Sequence, residues 1–233
     1  MAASTLPFRL SGPAAQRGAA LAGFVISLPV LLLAGLAVIE AAYWHITRQV
    51  LDVALLEAAR AGATAHGRPQ AMATAFEAAL RPLPTGRARW RRIHDDSGAP
   101  AWRIDILAPP AAAYADFGVR GLAVPHGAGT TAIRNDYQAE EHARRRAKGW
   151  PEGRGPASGM TIFEANVLRL RLSYQLPPLT PIVRALLRAL APAGGDALRA
   201  SAARAGNVLI VHEMALEMQS HPAAWPRRRI EPG

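Results

Sequence analysis

The chain has 233 residues, no cysteine, and 27 Lys and Arg against 17 Asp and Glu, which gives a formal net charge of +10. Without cysteine there can be no disulfide and no thiolate metal site; this fits the periplasm and equally fits other compartments. Only Lys148 is a lysine. So strong a preference for arginine, with abundant Ala, Gly and Pro, reflects GC-rich coding as much as selection for a polyanionic partner.

Residues 1–18, which precede the first long apolar run, carry Arg9 and Arg17 and no acidic residue. Basic residues favour the cytoplasmic side of a membrane. Because Arg48 and Arg60 follow the next segment, the charge asymmetry across it is small, and the charges alone do not set the orientation of the chain.

The next segment, residues 19–39, is a run of 21 residues without a charge. About 20 apolar residues of helix cross the hydrocarbon core of a bilayer, so the run predicts a transmembrane helix. Pro29 lies inside it, and membrane helices tolerate proline because neighbouring groups satisfy the freed carbonyl. Two alternatives remain: a buried core helix, and a cleaved secretory signal with its small-residue site at 35–37.

Residues 40–66 continue the helical pattern without a proline. Leu51, Leu55 and Ala58 recur at helical spacing and predict an apolar stripe on one continuous helix over about 19–65. Such a stripe needs a partner. The globular part of this chain and the helix of another subunit fit equally well.

The rest of the chain reads as short elements separated by Pro and Gly. In chain order we predict a helix over 70–81, a hairpin over 87–107, and an irregular insertion over 109–160 with an exposed charged helix at 137–148. A strand over 166–174, a helix over 180–190, a strand over 207–218 and a flexible tail over 222–233 follow. Long irregular insertions of this kind are more often functional or mobile than buried.

The helix over 180–190 is amphipathic and short. Its apolar residues could pack on the sheet, which we expect because short, weakly charged helices usually bury that face. The alternative is contact with a membrane surface through Arg184 and Arg188.

Together these elements predict an α+β fold, in which a long N-terminal transmembrane helix continues into a domain over 67–221 with a small antiparallel sheet of three or four strands and flanking helices.

The N-terminal residues resemble a known family. Gln16-Arg17-Gly18, the apolar segment with Phe24, and the helix that ends in Glu57-Ala58-Ala59-Arg60-Ala61-Gly62 are similar to the start of TadE-like pseudopilins of the tight-adherence (Flp-type) pilus system. The similarity covers residues 16–63. It implies a pilin-like fold and a prepilin-type leader cut between Gly18 and Ala19 by a membrane aspartyl peptidase.

One position departs from the family pattern, which has glutamate at the fifth residue after the cleavage point. Here that position is Gly23. In pilin-like proteins the carboxylate is thought to meet the free amine of a neighbouring subunit, where an unpaired charge would be costly. Because tip subunits of related pseudopili also lack it, the resemblance implies a tip or priming role.

The resemblance also implies the partners and the location. These are the lipid bilayer, other pilins and pseudopilins, the inner-membrane assembly platform and the prepilin peptidase, with the N-terminus cytoplasmic and the C-terminal domain periplasmic. No nucleic acid is expected there, so we interpret the basic clusters at 89–92, 144–146 and 227–229 as solvated faces or as contacts with anionic lipid or surface polymer.

We predict neither an enzyme nor a cofactor site. His212-Glu213 begins like a zinc-protease helix, but Leu216 stands where the second histidine belongs and the pattern is that of a strand. The histidines do not cluster at ligand spacing. The leading hypothesis is a structural pseudopilin-like subunit; the alternative is a membrane-tethered periplasmic binding or adhesin-like module without pilin-type processing.

Overall fold

The computed structural model describes residues 14–127, 129–191, 194 and 196–232, and within 14–22 it describes only the side chain of Leu21. Residues 1–13 of the predicted leader-like segment lie outside the described residues. The chain divides into two compact units, Met1–Tyr43 and Trp44–Gly233.

The described residues contain helices, and strands that form two sheets. The helices are α1 Ala14–Thr64, α2 Pro69–Ala79, α3 Arg87–Ser97, α4 Ala111–Phe117, α5 Gln138–Ala147, α6 Ile162–Ala165, α7 Pro181–Ala189 and α8 Ala197–Ala205, with a 3-10 turn at Pro151–Gly153. The strands are β1 Trp102–Ala108, β2 Gly118–Val119, β3 Ala132–Ile133, β4 Val167–Leu176, β5 Val208–Glu217 and β6 Arg229–Ile230. The predicted α+β class is confirmed.

The main sheet has the order β5-β4-β1-β6 and is antiparallel throughout. Its centre is β4, in which Leu168, Leu170 and Leu172 are buried, as expected from the alternation with arginine. Residues 167–176 pair with all ten residues of β5, so both strands predicted from their period-2 pattern are confirmed. The helices predicted over 70–81, 137–148 and 180–190 are confirmed as α2, α5 and α7.

The first half of the hairpin predicted over 87–107 is wrong, because Arg87–Ser97 is the helix α3. Trp90, Ile93 and Ser97 are its buried residues and recur at helical spacing, and Gly98 ends the helix in the left-handed conformation. The alternation of Trp90 with arginines was too short to distinguish a strand from a helix face. The predicted return strand is correct and is β1.

The flexible tail predicted over 222–233 is also wrong. The tail forms β6, which pairs with β1 at Ile104 and Asp105, and Ile230 is buried. The indole of Trp225 donates a hydrogen bond of 2.8 Å to the carbonyl of His66. Prolines exclude helix in this segment, but they leave the short run at 229–230 available to complete a sheet edge.

The insertion over 109–160 has a small core of its own. Ala113, Phe117 and Ile133 pack with Ile162 and Ala165. The guanidinium of Arg145 lies 4.7 Å from the ring centre of Phe117 and donates to the carbonyl of Asp116 at 2.8 Å. Arg145, in the basic cluster at 144–146, therefore serves internal packing.

Asp116 fixes the glycine-rich loop of that insertion. Its carboxylate accepts hydrogen bonds from Ser158 Oγ at 2.6 Å and from the backbone N–H groups of Ala157 and Ser158. Partial burial raises the pKa of Asp116, but these hydrogen bonds, together with nearby Arg145, outweigh it and hold the pKa below its usual value. The carboxylate is therefore ionised whenever the loop is in this conformation near neutral pH.

Candidate membrane and assembly surface

The part of α1 over 21–39, in the first unit, is apolar on all sides. Most of its large aliphatic and aromatic side chains are more than half exposed: Leu21, Phe24, Val25, Ile26, Val30, Leu31, Leu32, Leu33, Val38 and Ile39. A helix that is apolar all round requires an apolar environment, either a protein core or a bilayer. Among the described residues, Gly23–Thr64 is the helix long and apolar enough to cross a membrane.

The later part of α1, in the second unit, is apolar on one side only. Leu51, Leu55 and Ala58 are fully buried, as are Ala54, Ala59 and Ala63. The polar residues Arg48, Asp52 and Arg60 are exposed. The predicted stripe is thus covered by the domain of its own chain, which decides between the two partners that the sequence left equal.

Gly62 shows how closely this stripe packs. A Cβ atom at that position would lie 2.7 Å from both Leu168 Cδ2 of β4 and Met72 Sδ of α2. A Cβ atom essentially never lies that close to another atom, so a larger residue at 62 would force the side chains of Leu168 and Met72 to shift. Of the predicted motif residues, Gly62 is therefore a packing residue, whereas Glu57 and Arg60 form an exposed ion pair at 2.8 Å.

A second contact joins the extension to the sheet. Asp52 Oδ1 lies 2.5 Å from Nδ1 of His212 on β5. The neighbouring Glu213 is paired with Arg171 at 2.6 Å. The two residues that resemble the start of a zinc-protease motif thus hold structural contacts, and the described residues contain no group of three His, Asp or Glu side chains that could hold a metal ion.

The end of α1 is tied down by polar contacts with the segment after β5. His66 Nδ1 lies 3.0 Å from the carbonyl of His221, and the ring of His221 accepts a hydrogen bond from the N–H of Asn135 at 3.1 Å. Burial lowers the pKa of His221, with His66 and Arg134 adding to the effect and Asp136 opposing it. His221 is therefore held in its neutral form, which its acceptor role requires.

The predicted processing residues Gly18 and Ala19 both lie within α1. Gly23 also lies in α1, is exposed, and has no atom within 4 Å of the position that a Cβ would occupy. A larger side chain would therefore fit at position 23 of this chain. Cleavage after Gly18 and the role of Gly23 stay predictions.

The outward side of the extension offers little apolar surface. Ile46 and Val53 are more than half exposed and lie seven residues apart, on one side of the helix. Gln49 and the half-buried Val50 lie between them on that side. The apolar surface that surrounds α1 is therefore at 21–39, and beyond it, among the described residues of the helix, only this narrow row of large apolar side chains is exposed on the outward side.

An open cleft of about 450 Å³ lies on the second unit. Its lining contains cationic side chains and an indole but no carboxylate: Arg68, Pro69, Gln70, His126, Trp225, Pro226 and Arg227. The indole is fixed by its bond to the His66 carbonyl. The cleft thus combines an aromatic face with guanidinium donors, a combination that suits an anionic group on a ring.

Comparison with known proteins gives one finding. Residues 18–60 match the model of a family described as TadE-like protein. The match lies within the residues 16–63 on which the resemblance rested, and it confirms that resemblance. The match covers 43 of the 233 residues, and TadE-like proteins are structural, pilus-associated proteins. Neither the curated proteins nor the solved structures give a match.

Proposed function

We propose, with the TadE-like match of residues 18–60 as the premise, that this protein is a minor pseudopilin-like subunit of a tight-adherence pilus assembly complex. One helix anchors it in the inner membrane with the N-terminus in the cytoplasm and the second unit in the periplasm. The observation that carries the proposal is the all-round exposure of apolar side chains over 21–39. These residues lie within the matched region, 18–60.

Insertion into a bilayer compensates for the exposure of these apolar side chains. Ten large apolar side chains exposed on one helix would be costly in water, whereas each contributes about 0.3 to 0.6 kcal/mol to insertion at the centre of a bilayer. Once inserted, the helices of several subunits associate through side-chain packing rather than the hydrophobic effect. Because the stripe over 51–63 is already covered by its own domain, residues 21–39 are the main apolar surface left for the neighbouring helices.

Intermolecular photocrosslinking tests the assembly role. With a photoreactive residue at Ile26 or Leu32, both exposed, we expect adducts with other pilus subunits in cells that make the pilus. The matched control is Leu55, which is fully buried and should give no intermolecular adduct. If neither Ile26 nor Leu32 forms an adduct in cells with a complete pilus, the assembly role is contradicted.

Mass spectrometry of the membrane-extracted chain tests the processing step. Pilin-type cleavage predicts a mature protein that begins at Ala19, and Gly18→Val should block it. A chain that begins near Val38 would instead indicate a secretory signal. An intact N-terminus would favour a plain membrane anchor.

The cationic cleft favours one second candidate, a membrane-tethered binding module for anionic saccharides. Trp225 would stack on a sugar ring while Arg68 and Arg227 bind its carboxylate. Titration with oligogalacturonate should then quench indole fluorescence, and Arg227→Ala should weaken binding. This candidate predicts an intact N-terminus, so the mass measurement also separates the two functions.

A further inference from the structure

The helix α7 presents its apolar side outward. Leu179, just before it, and Ile182, Leu186 and Leu190 follow each other at intervals of three or four residues, so they lie on one side of the helix. Each is more than half exposed, up to 68% for Leu190. Of the other apolar residues of the helix, Val183 and Leu187 are half-buried. No residue of α7 is fully buried, so the expected burial of its apolar face on the sheet is wrong.

The arginines of α7 point the other way, into the domain. Arg184 Nε and Arg188 Nε each donate a hydrogen bond of 3.0 Å to the carbonyl of Ala205 at the end of α8. Arg184 also forms an ion pair of 2.7 Å with Asp96. Cationic donors at the C-terminal end of a helix satisfy its free carbonyls and its dipole.

The contact with α8 fixes this orientation. A Cβ at Gly206 would lie 2.5 Å from the carbonyl oxygen of Arg184, and Gly206 has a positive φ of 68°. The N-terminal end of α7 is capped by Thr180, whose Oγ1 accepts from the N–H of Val183. The outward apolar face is therefore held in place by a specific set of polar contacts on the opposite side.

We infer that α7 is an interfacial helix whose apolar face, formed by Leu179, Ile182, Leu186 and Leu190, binds the surface of a bilayer that contains anionic lipid. Helices of this type lie in the plane of the interface with the apolar side among the acyl chains and arginine on the polar side. The inference rests on the proposed function, because the anchor over 21–39 is what holds the second unit next to a bilayer.

Charge and area both favour a bilayer as the partner. When Arg9, Arg17 and Glu40 are set aside, the second unit has 25 Lys and Arg against 16 Asp and Glu, and residues 179–190 contain no acid. That sign complements anionic headgroups. Four partly exposed aliphatic side chains cover far less than the roughly 800 Å² that each partner gives to a stable protein interface. A tethered domain needs no such area, because the anchor raises the effective concentration of the bilayer.

Spin labelling of the full chain tests the inference, and the absence of native cysteine makes single labels possible. Leu186→Cys is the probe, Leu32→Cys reports the anchor, and Tyr137→Cys, 71% exposed in the same unit as α7, is the aqueous control. Each labelled chain is reconstituted into vesicles of phosphatidylcholine with phosphatidylglycerol. The measured quantity is the ratio of nitroxide collisions with oxygen to those with a water-soluble nickel complex.

We expect the ratio at Leu186 to exceed that at Tyr137 several-fold, and to fall when phosphatidylcholine replaces phosphatidylglycerol. If Leu186 behaves like Tyr137 while Leu32 is in lipid, the inference is overturned and the anchor stands. If Leu32 is also aqueous, both fail. Protection of Leu186 with spin–spin broadening that disappears on dilution with unlabelled chain would identify a second copy as the partner and overturn the inference. A ratio unaffected by lipid charge would overturn its anionic-lipid part.

Discussion

The two parts of α1 differ both in their content of large apolar residues and in what those residues contact. Over 21–39 the side chains are exposed on every side, whereas over 51–63 they are buried along one stripe. Residues 21–39 contain 12 Leu, Val, Ile or Phe and no charged residue, whereas residues 51–63 contain four residues of these types together with Asp52, Glu57 and Arg60. Hydrophobic content and the spacing of charges together separate the membrane segment from the segment that belongs to a folded domain.

Truncation of the buried stripe should have the largest effect on the domain. Leu55→Ala removes a fully buried side chain and should lower the free energy of unfolding of the second unit by about 2 to 5 kcal/mol. Val53→Ala, two residues away and 57% exposed, should change it by no more than about 0.5 kcal/mol. Denaturant unfolding in detergent measures both. Equal losses would show that the stripe is not the buried side.

A charge in the apolar part should act on insertion and leave the domain intact. Leu32→Arg should oppose insertion by about 2.5 to 3.5 kcal/mol, seen as a loss of carbonate-resistant membrane association. The matched control is Val53→Arg, which introduces the same charge in the later part of α1. Because Val53 is exposed, we expect unchanged membrane association, and a similar loss in both variants would mean that the boundary between the two parts is misplaced.

The close approach at Gly62 should tolerate no large side chain. Gly62→Leu forces Leu168 and Met72 to move and should lower the domain's free energy of unfolding by about 1 to 3 kcal/mol. Gly23→Leu makes the same change where no atom lies within 4 Å. Gly23→Leu should leave the thermal unfolding of the second unit unchanged. A matching loss of stability in both variants would show that close packing at Gly62 is not the cause.

The smallest predicted effect is a dependence on pH that only the second unit shows. The pKa of His221 in the folded protein lies below its ordinary value of 6.5, so the folded state binds the proton less readily than the unfolded state. The contribution of His221 to the free energy of unfolding is therefore complete above pH 6.5, and it is lost as the pH falls through the lowered pKa. Insertion of residues 21–39, which contain no ionisable side chain, should not change.

A substitution isolates the source of that dependence. His221→Gln should flatten the stability profile below pH 6.5, while His126→Gln, at an exposed site, should leave it as it is. If the first variant keeps the full slope, another group is responsible.

Elements with a strong period could be predicted from sequence, and elements fixed by distant contacts could not. The alternation of Leu168, Leu170 and Leu172 with arginine predicted β4, and Pro181 after Thr180 predicted the start of α7. The tail was missed because β6 exists only by pairing with β1, more than a hundred residues earlier.

The orientation of α7 illustrates the same limit. Its amphipathic pattern indicated two faces but not which one is inward, because the contacts of Arg184 and Arg188 with the carbonyl of Ala205 depend on where α8 ends. The packing role of Gly62 could not be predicted either, because it depends on where Leu168 and Met72 lie in the folded domain. The family resemblance, in contrast, lay wholly in local sequence.

In the proposed arrangement, residues 21–39 lie in lipid and the extension lies beyond it, outside the cytoplasm. Because the chain has no cysteine, single-cysteine variants can be labelled with a membrane-impermeant maleimide in cells whose outer membrane has been opened. The account predicts that Val53→Cys reacts without permeabilisation of the inner membrane and that Leu32→Cys stays unreactive until detergent is added. A reactive Leu32→Cys in intact membranes, or a Val53→Cys that reacts only after the inner membrane is opened, would contradict it.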